Sequence, residues 1–327
     1  ASQELVDVLW GKSNLNKPFT YNQLQEYINN GSSIDHSING RISLGKVLGS
    51  GFTLIKDENN FFKEFHKDFP NFGIEIEEQD GEVIPSNTGL ISTNHPLWNI
   101  QFGKGKGYFD KNLNVSVILL PFSLMHKNAN CVHTGISIFS LDKQKKPSNI
   151  IFQVASETCS YYKFDYVSIY KGQFASSSDK NIELSKNISN AVEKKSFEEL
   201  YDVYDIKANS FADSTYFSAE NVTIFGLIDG KKHYQSVCNT RLGTNIFCDQ
   251  IVLPSYSLAK SVAGTLSLSL INDAFEDISQ YNVYDLIPEC NMRKWSDVTL
   301  ENLSDMSTGQ YFSTNFDYDE SSLATTN

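Results

Sequence analysis

The residues best suited to chemistry in this chain are a serine and a lysine three positions apart, Ser257 and Lys260, within the segment LPSYSLAKSV. A serine hydroxyl becomes an effective nucleophile when a neighbouring base accepts its proton. A lysine amine can be that base, because burial disfavours its charged form. The pair predicts attack of Ser257 on an ester or amide carbonyl, an acyl-serine intermediate, and Lys260 as the general base.

The segment around the pair has the composition of a buried helix. Lys260 is the only formally charged residue between Asp249 and Asp273. Side chains three residues apart share a helix face, so Ser257 and Lys260 are predicted to lie one turn apart. The N–H of residue 257, near the helix start, is predicted to bind a developing oxyanion. Apolar residues occupy most of the predicted helix circumference: Leu258, Ala259, Val262, Ala263, Leu266, Leu270 and Ile271.

The pattern S-x-x-K is short, and a chain rich in serine and lysine produces it by chance. It occurs again as SSDK at 177–180, in a polar stretch without a hydrophobic helix. We predict no function for that second copy. The apolar setting is what distinguishes the copy at Ser257.

Three ordered phrases give the segment a family resemblance. LPSYSLAKSVAGTL resembles the active-site serine segment of the penicillin-recognising serine hydrolases, most closely the class C β-lactamase-like esterases and the 6-aminohexanoate-dimer hydrolases. VTIFGLIDGKKHYQSV is similar to the strand pair that precedes that segment. YDLIPE and WSDVTLENLSDMSTGQY are similar to the run, helix and turn on its C-terminal side. The resemblance covers about 221–311 and implies Ser257 as nucleophile and Lys260 as general base.

The family also requires a downstream tyrosine in Y-x-N or Y-x-S and a strand with K-T-G or H-x-G, which are not found in their usual places. We expect this chain to hold only the first part of the catalytic domain, completed by a C-terminal fragment or chain. A circular permutation is the alternative, using Tyr27-Ile28-Asn29 and His133-Thr134-Gly135. Tyr311-Phe312-Ser313 fits Y-x-S but lies too close to the serine.

The remainder of the chain predicts an α+β protein with a β-rich first half. Short segments rich in β-branched and aromatic residues, bounded by turn formers, predict a sandwich or barrel-like domain at 1–172. A polar stretch predicts a linker at 173–212. We assign 213–327 to a β-lactamase-like α/β serine hydrolase domain, incomplete at its C-terminus. PFTYNQLQEYINNG predicts a helix, and Asp229-Gly230 predicts a hairpin turn.

Composition limits the possible partners. The net charge is -12, and only three of the 27 basic residues are arginines, so nucleic acid is excluded as a partner. No apolar run predicts a membrane span. A small-molecule ester or amide is the expected substrate. The alternative is a non-catalytic ligand-binding or structural module.

The N-terminus, ASQELVDVL, fits the mature end of a periplasmic or secreted protein, and equally an engineered junction.

Cysteine and histidine spacing predicts neither a metal site nor a cofactor. The five cysteines form no C-x-x-C pair, and the six histidines form no H-x-x-x-H pair. Cys238 and Cys248 flank the predicted turn NTRLGTN and are placed to form a disulfide in an oxidising compartment. The interpretation that we favour is that all five cysteines are small buried hydrophobic residues.

Overall fold

The computed structural model describes residues 3–34, 37–60, 68–159, 162–177, 193–204, 222–311 and 313–315. Helices and a large antiparallel sheet are both present, which confirms the α+β class. The chain forms two compact units, Ala1–Pro254 and Ser255–Asn327. No helix in the described ranges is both long and apolar enough to cross a bilayer.

Nine strands of the first unit form one antiparallel sheet. β1 pairs with both β2 and β9, and β6 pairs with β7 along one edge and with β4 and β5 along the other. The pairings therefore close into a ring that runs from β1 through β2, β3, β5, β6, β7 and β8 to β9. The strands are β1 Asn39–Asp57, β2 Gly73–Gln79, β3 Glu82–Pro85, β4 Trp98–Phe102, β5 Gly105–Asp110, β6 Val115–His126, β7 Val132–Asp142, β8 Asn149–Glu157 and β9 Phe164–Ser176.

Both faces of β6, β7 and β8 are buried along most of their length. In β6, Ile118, Leu120 and Phe122 belong to one hydrophobic cluster, whereas Val117 and Leu119 belong to another. Side chains alternate across a strand, so an uninterrupted apolar run such as VSVILLPF fits a strand that is covered on both sides. The first cluster draws residues from eight strands of the sheet, and its aromatic rings include the stacked pair Phe69 and Phe152, 3.9 Å between centroids.

Two helices cover the second cluster, α1 Gln3–Leu9 and α2 Tyr21–Asn30. The prediction of a helix in PFTYNQLQEYINNG is confirmed. Thr20 accepts a hydrogen bond from the N–H of Gln23, and the Gln23 side chain accepts one from the N–H of Thr20. This capping box satisfies two N–H groups that the first helical turn leaves without partners.

The segments after the sheet also belong to the first unit. They comprise β10 Glu193–Ser196, α3 Glu198–Tyr204, β11 Gly226–Asp229, β12 Lys232–Gln235, β13 Asn239–Thr240 and β14 Gly243–Thr244. The predicted hairpin at Asp229-Gly230 is confirmed between β11 and β12, where Gly230 has a φ of 57°. Only glycine adopts that backbone without a steric penalty.

The observed division at Pro254 differs from the predicted linker at 173–212. The physical reason is an ionic anchor near the β13–β14 turn. The Arg241 Nε donates to both carboxylate oxygens of Asp165, at 2.9 and 2.8 Å, and its Nη1 donates to Glu157 Oε1 at 2.9 Å. Both acids lie on the sheet, so the segment that carries Arg241 stays with the first unit. Most of the predicted linker, 178–192 and 205–212, lies outside the described residues.

Two disulfides are present, Cys131–Cys159 and Cys238–Cys248, with Cα–Cα distances of 5.1 and 5.3 Å. The favoured interpretation of all five cysteines as buried thiols is therefore wrong, and Cys290 is the free cysteine. Strand pairing brings together cysteines that are far apart in the chain, and a local sequence pattern does not reveal this. Cys131 lies beside the start of β7 and Cys159 beyond the end of β8, two strands that are neighbours in the sheet.

We expect the two disulfides to contribute unequally to stability. They close loops of 28 and 10 residues, and the loop-closure model gives about 3–4 kcal/mol for the first and about 2–3 kcal/mol for the second. Replacing both Cys131 and Cys159 by alanine should lower the free energy of unfolding more than the same change at Cys238 and Cys248. Denaturant unfolding measures both values, and the reverse order would contradict the prediction.

The described residues of the second unit, 255–311 and 313–315, contain several short helices. They are a π-helix Lys260–Leu266, α4 Ser267–Ala274, α5 Val283–Leu286 and α6 Leu300–Ser304, with short 3₁₀ turns between them. The prediction of a buried serine–lysine helix is wrong: Leu258, Val262 and Leu270 are 63, 57 and 63% exposed. Sequence composition showed that the helix surface is apolar, but it did not show which element covers that surface.

Candidate functional site

The candidate site is the turn and helix start that carry Ser257 and Lys260. The N–H of Lys260 donates to the carbonyl of Ser257 at 3.0 Å, a bond between residues three apart. In such a 3₁₀ turn, side chains at i and i+3 lie almost directly above one another. The Lys260 Nζ accordingly lies 3.5 Å from the Ser257 Oγ, within hydrogen-bonding distance. The structure brings the two predicted residues together.

Two unusual backbone features flank the pair. Tyr256 has a φ of 47°, in the left-handed region that bulky residues rarely occupy. Such a conformation costs about 1–2 kcal/mol. On the other side, Lys260 opens a seven-residue π-helix, a form that is rare and that appears frequently at functional sites. Ser257, the residue that follows Tyr256, is exposed to solvent.

A cavity of about 590 Å³ opens beside the pair. Hydroxyl groups and the Lys260 amine lie along part of its wall, and leucine and methionine side chains form the rest. A cavity with a few polar groups and a largely apolar wall is the common form of a small-molecule site. Its lining residues are Ser257, Lys260, Ser261, Gly264, Thr265, Leu268, Leu300, Leu303, Ser304 and Met306.

The far wall of the cavity is α6, which sequence reasoning did not assign to the site. Thr265 Oγ1 and Ser304 Oγ are 3.0 Å apart and join the serine helix to α6. A capping box holds the start of α6: Thr299 accepts from the N–H of Asn302, and Asn302 Oδ1 accepts from the N–H of Thr299. The T-x-x-N pattern within WSDVTLENLSDM predicts the start of a helix, and it is the sequence signal from which α6 could have been predicted.

Both members of the pair are exposed to solvent in the second unit. The expected source of activation was burial, which favours the neutral amine that can accept a proton. In the structure the Lys260 Nζ donates a hydrogen bond to the Ser257 Oγ. Transfer of the hydroxyl proton from Ser257 to Lys260 requires a neutral amine, and shielding the pair from water would favour that form.

The triplets of the permuted alternative have structural roles in the first unit. Burial, with the charges of Glu4 and Glu26, raises the pKa of the Tyr27 phenol, which opposes its use as a base. His133 is fully buried in β7. A Cβ on Gly135 would lie 2.4 Å from the Gln153 carbonyl oxygen, so only glycine fits there. The His133 ring packs against the rings of Trp98 and Phe164, and the Gln153 carbonyl accounts for Gly135.

One group of potential metal ligands occurs among the described residues. Donor atoms of Cys131, His133 and Cys159 lie within 4.8 Å of one another, and all three residues are buried. Both sulfur atoms are joined in the disulfide, however, and a metal ion binds the thiolate form of cysteine. The oxidised protein therefore has no metal-binding set at this position.

Comparison of the chain with protein-family models, curated proteins and solved structures gives no match. The resemblance to penicillin-recognising serine hydrolases thus remains an expectation from the sequence.

Proposed function

We propose that this protein is a serine hydrolase that cleaves an ester or amide through an acyl-serine intermediate. The supporting observation is the 3.5 Å contact between Ser257 Oγ and Lys260 Nζ at the wall of a cavity with apolar sides. A nucleophile and a base within hydrogen-bonding reach are the minimum requirement for acyl transfer by serine.

In this proposal each residue has one role. A neutral Lys260 accepts the proton of Ser257 as the Oγ attacks the substrate carbonyl carbon. The N–H of Ser257, in the first turn where helical N–H groups have no intrahelical acceptor, supplies one hydrogen bond to the oxyanion. Lys260 then returns the proton to the departing alcohol or amine. Water hydrolyses the acyl-serine by the same steps in the opposite sense, with Lys260 as base.

We further propose that the second unit is the first part of a β-lactamase-like α/β serine hydrolase domain and that a C-terminal fragment or chain completes it. The exposed apolar face of the serine helix supports this proposal. Monomeric proteins rarely leave contiguous apolar surface open to water, and such surface marks interaction sites. A covering segment would exclude water from Lys260 and add the second oxyanion donor. The face is formed by Leu258, Val262, Leu266, Leu270 and Ile271.

The β-rich first unit is proposed to be an accessory domain of this hydrolase. Its two disulfides are typical of an oxidising compartment, which favours a periplasmic or secreted protein.

A non-catalytic ligand-binding or structural module is the second candidate. The observation in its favour is the solvent exposure of Lys260, since burial is what favours the neutral amine that can accept a proton. The cavity beside it would then bind a small, mostly apolar molecule that carries one acidic group, and Lys260 would pair with that group.

Covalent labelling distinguishes the two candidates. The protein is treated with a fluorophosphonate probe, and its intact mass is measured. We expect one adduct on the wild-type protein and none on Ser257→Ala. Ser269→Ala is the matched control, since Ser269 lies exposed on α4 outside the cavity lining, and it should be labelled like the wild type. A wild-type protein that acquires no adduct would favour the non-catalytic module.

A further inference from the structure

The sequence offers a candidate modification site in the first unit, at the turn between β5 and β6. Residues 114–116 read Asn-Val-Ser, which is the acceptor pattern N-x-S/T for an N-linked glycan. The pattern occurs five times in the chain and is short enough to arise by chance. Structural evidence is therefore needed to distinguish a functional copy. The five asparagines are Asn30, Asn114, Asn187, Asn221 and Asn302, of which Asn187 and Asn221 lie outside the described residues.

Asn114 presents its side chain to solvent at the end of a well-ordered turn. Asp110 organises the turn: its Oδ1 accepts from the N–H groups of Asn112 and Leu113, both at 3.0 Å. Its carbonyl accepts from the N–H of Asn114 at 2.7 Å. Asn114 is exposed and has a φ of 58°. Asparagine tolerates that conformation, so the turn alone could explain Asn114.

The turn does not explain Ser116. This residue lies in β6 with no exposed surface, and its Oγ has no hydrogen-bond partner among the described residues. A buried hydroxyl left without a partner costs about 1–3 kcal/mol. Alanine would avoid that cost at this position. The contacts of the folded protein therefore do not explain a hydroxyl at position 116. An N-x-S/T triplet that is recognised before the chain folds does require a hydroxyl at that position.

The two disulfides supply the third observation. They indicate a chain that folds in an oxidising compartment, where N-linked glycans are also added. The other described triplets are less informative. Ser32 Oγ donates to the Phe109 carbonyl at 3.3 Å, and Asn302 Oδ1 accepts from the N–H and the hydroxyl of Thr299, so each has a structural role.

We propose that Asn114 is an N-glycosylation site and that Ser116 is retained for its recognition. The donor is an oligosaccharide linked to a lipid pyrophosphate. The Asn114 Nδ2 forms a bond to the anomeric carbon, the bond from that carbon to the pyrophosphate oxygen breaks, and Nδ2 loses one proton as the lipid pyrophosphate leaves. The glycan projects from an exposed turn, so the sheet folds around β6 without obstruction. This inference is independent of any hydrolase activity.

The test is site occupancy in the full chain, secreted from a eukaryotic host behind a cleavable leader. Peptide N-glycosidase in ¹⁸O-labelled water converts a glycosylated asparagine into labelled aspartate. Mass spectrometry of the tryptic peptide that begins at Asn112 then identifies the residue. We expect label at Asn114 in the wild type, none in Asn114→Asp or Ser116→Ala, and retention in Ser116→Thr.

Ser140→Ala is the matched control. Ser140 lies in β7, is also without exposed surface, and its Oγ likewise has no partner among the described residues, but it belongs to no acceptor triplet. The Ser140→Ala variant should keep full glycan occupancy at Asn114. Ser116→Ala and Ser140→Ala should have similar effects on the free energy of unfolding. An unlabelled wild-type peptide, or equal loss in both serine variants, would overturn the proposal.

Discussion

If Lys260 is the proposed general base, its replacement by methionine should lower the rate constant for acylation of Ser257 by about 10²–10⁴-fold, the usual contribution of such a base. Methionine has a side chain of similar length and apolar character but offers no amine to accept the proton. The Lys260 Nζ lies 3.5 Å from the Ser257 Oγ, within reach of the proton that the proposed mechanism transfers. The rate of labelling by a fluorophosphonate, followed over time by intact mass, measures this effect.

Two further variants show whether Lys260 acts as a base or only as a charge. Lys260→Arg keeps the positive charge but does not lose its proton in proteins, so it should be as slow as Lys260→Met. Lys294→Met is the control, because Lys294 lies over the Trp295 ring and outside the cavity lining. A Lys260→Arg protein that is labelled at the wild-type rate would rule out the base role.

The second large effect is expected at Arg241, whose replacement by methionine should lower the free energy of unfolding by about 3–5 kcal/mol. The Glu157 and Asp165 side chains are only 3 and 8% exposed, and Arg241 binds both. Burial alone would lower the pKa of the Arg241 guanidinium, but its bonds to these two carboxylates raise it overall. Removing the guanidinium leaves two buried negative charges without their partner.

Denaturant unfolding at several pH values tests this prediction. In the variant, the unpaired carboxylates should bind protons more tightly when folded than when unfolded. The stability deficit should therefore shrink as the pH falls into the acidic range. Arg41→Met is the matched control, because the Arg41–Glu75 pair spans 3.6 Å on the surface, and its loss should cost less than about 1 kcal/mol. If the Arg41 and Arg241 variants lost equal free energy of unfolding, the anchoring role of Arg241 would be contradicted.

Local structure was largely predictable from the sequence. The strand segments, the α2 helix and the Asp229-Gly230 hairpin all follow from patterns within a few residues, and the structure shows each of them. The features that were not predictable depend on residues far apart in the chain. The Cys131–Cys159 bond and the Arg241 anchor arise only when distant strands pair, and neither leaves a local periodic pattern.

The candidate site was also predictable only in part: the pairing of its two residues was, and their surroundings were not. The i to i+3 spacing of Ser257 and Lys260 correctly placed the two side chains together. The environment was not predictable, because an apolar helix surface does not reveal its covering element. The cavity wall at α6 was also missed, since Thr265 and Ser304 are 39 positions apart.

The closed ring of strands has a consequence for how the chain reaches its folded state. Closure depends on the pairing of β1 with β9, the two strands of the sheet that are farthest apart in sequence. Contacts of such long separation form slowly. During synthesis, the apolar strands β6, β7 and β8 emerge before β9 can cover the last open edge, and exposed edges of apolar strands promote aggregation. Yield from refolding should therefore fall steeply with protein concentration, and a chaperone that holds the unfinished sheet should restore it.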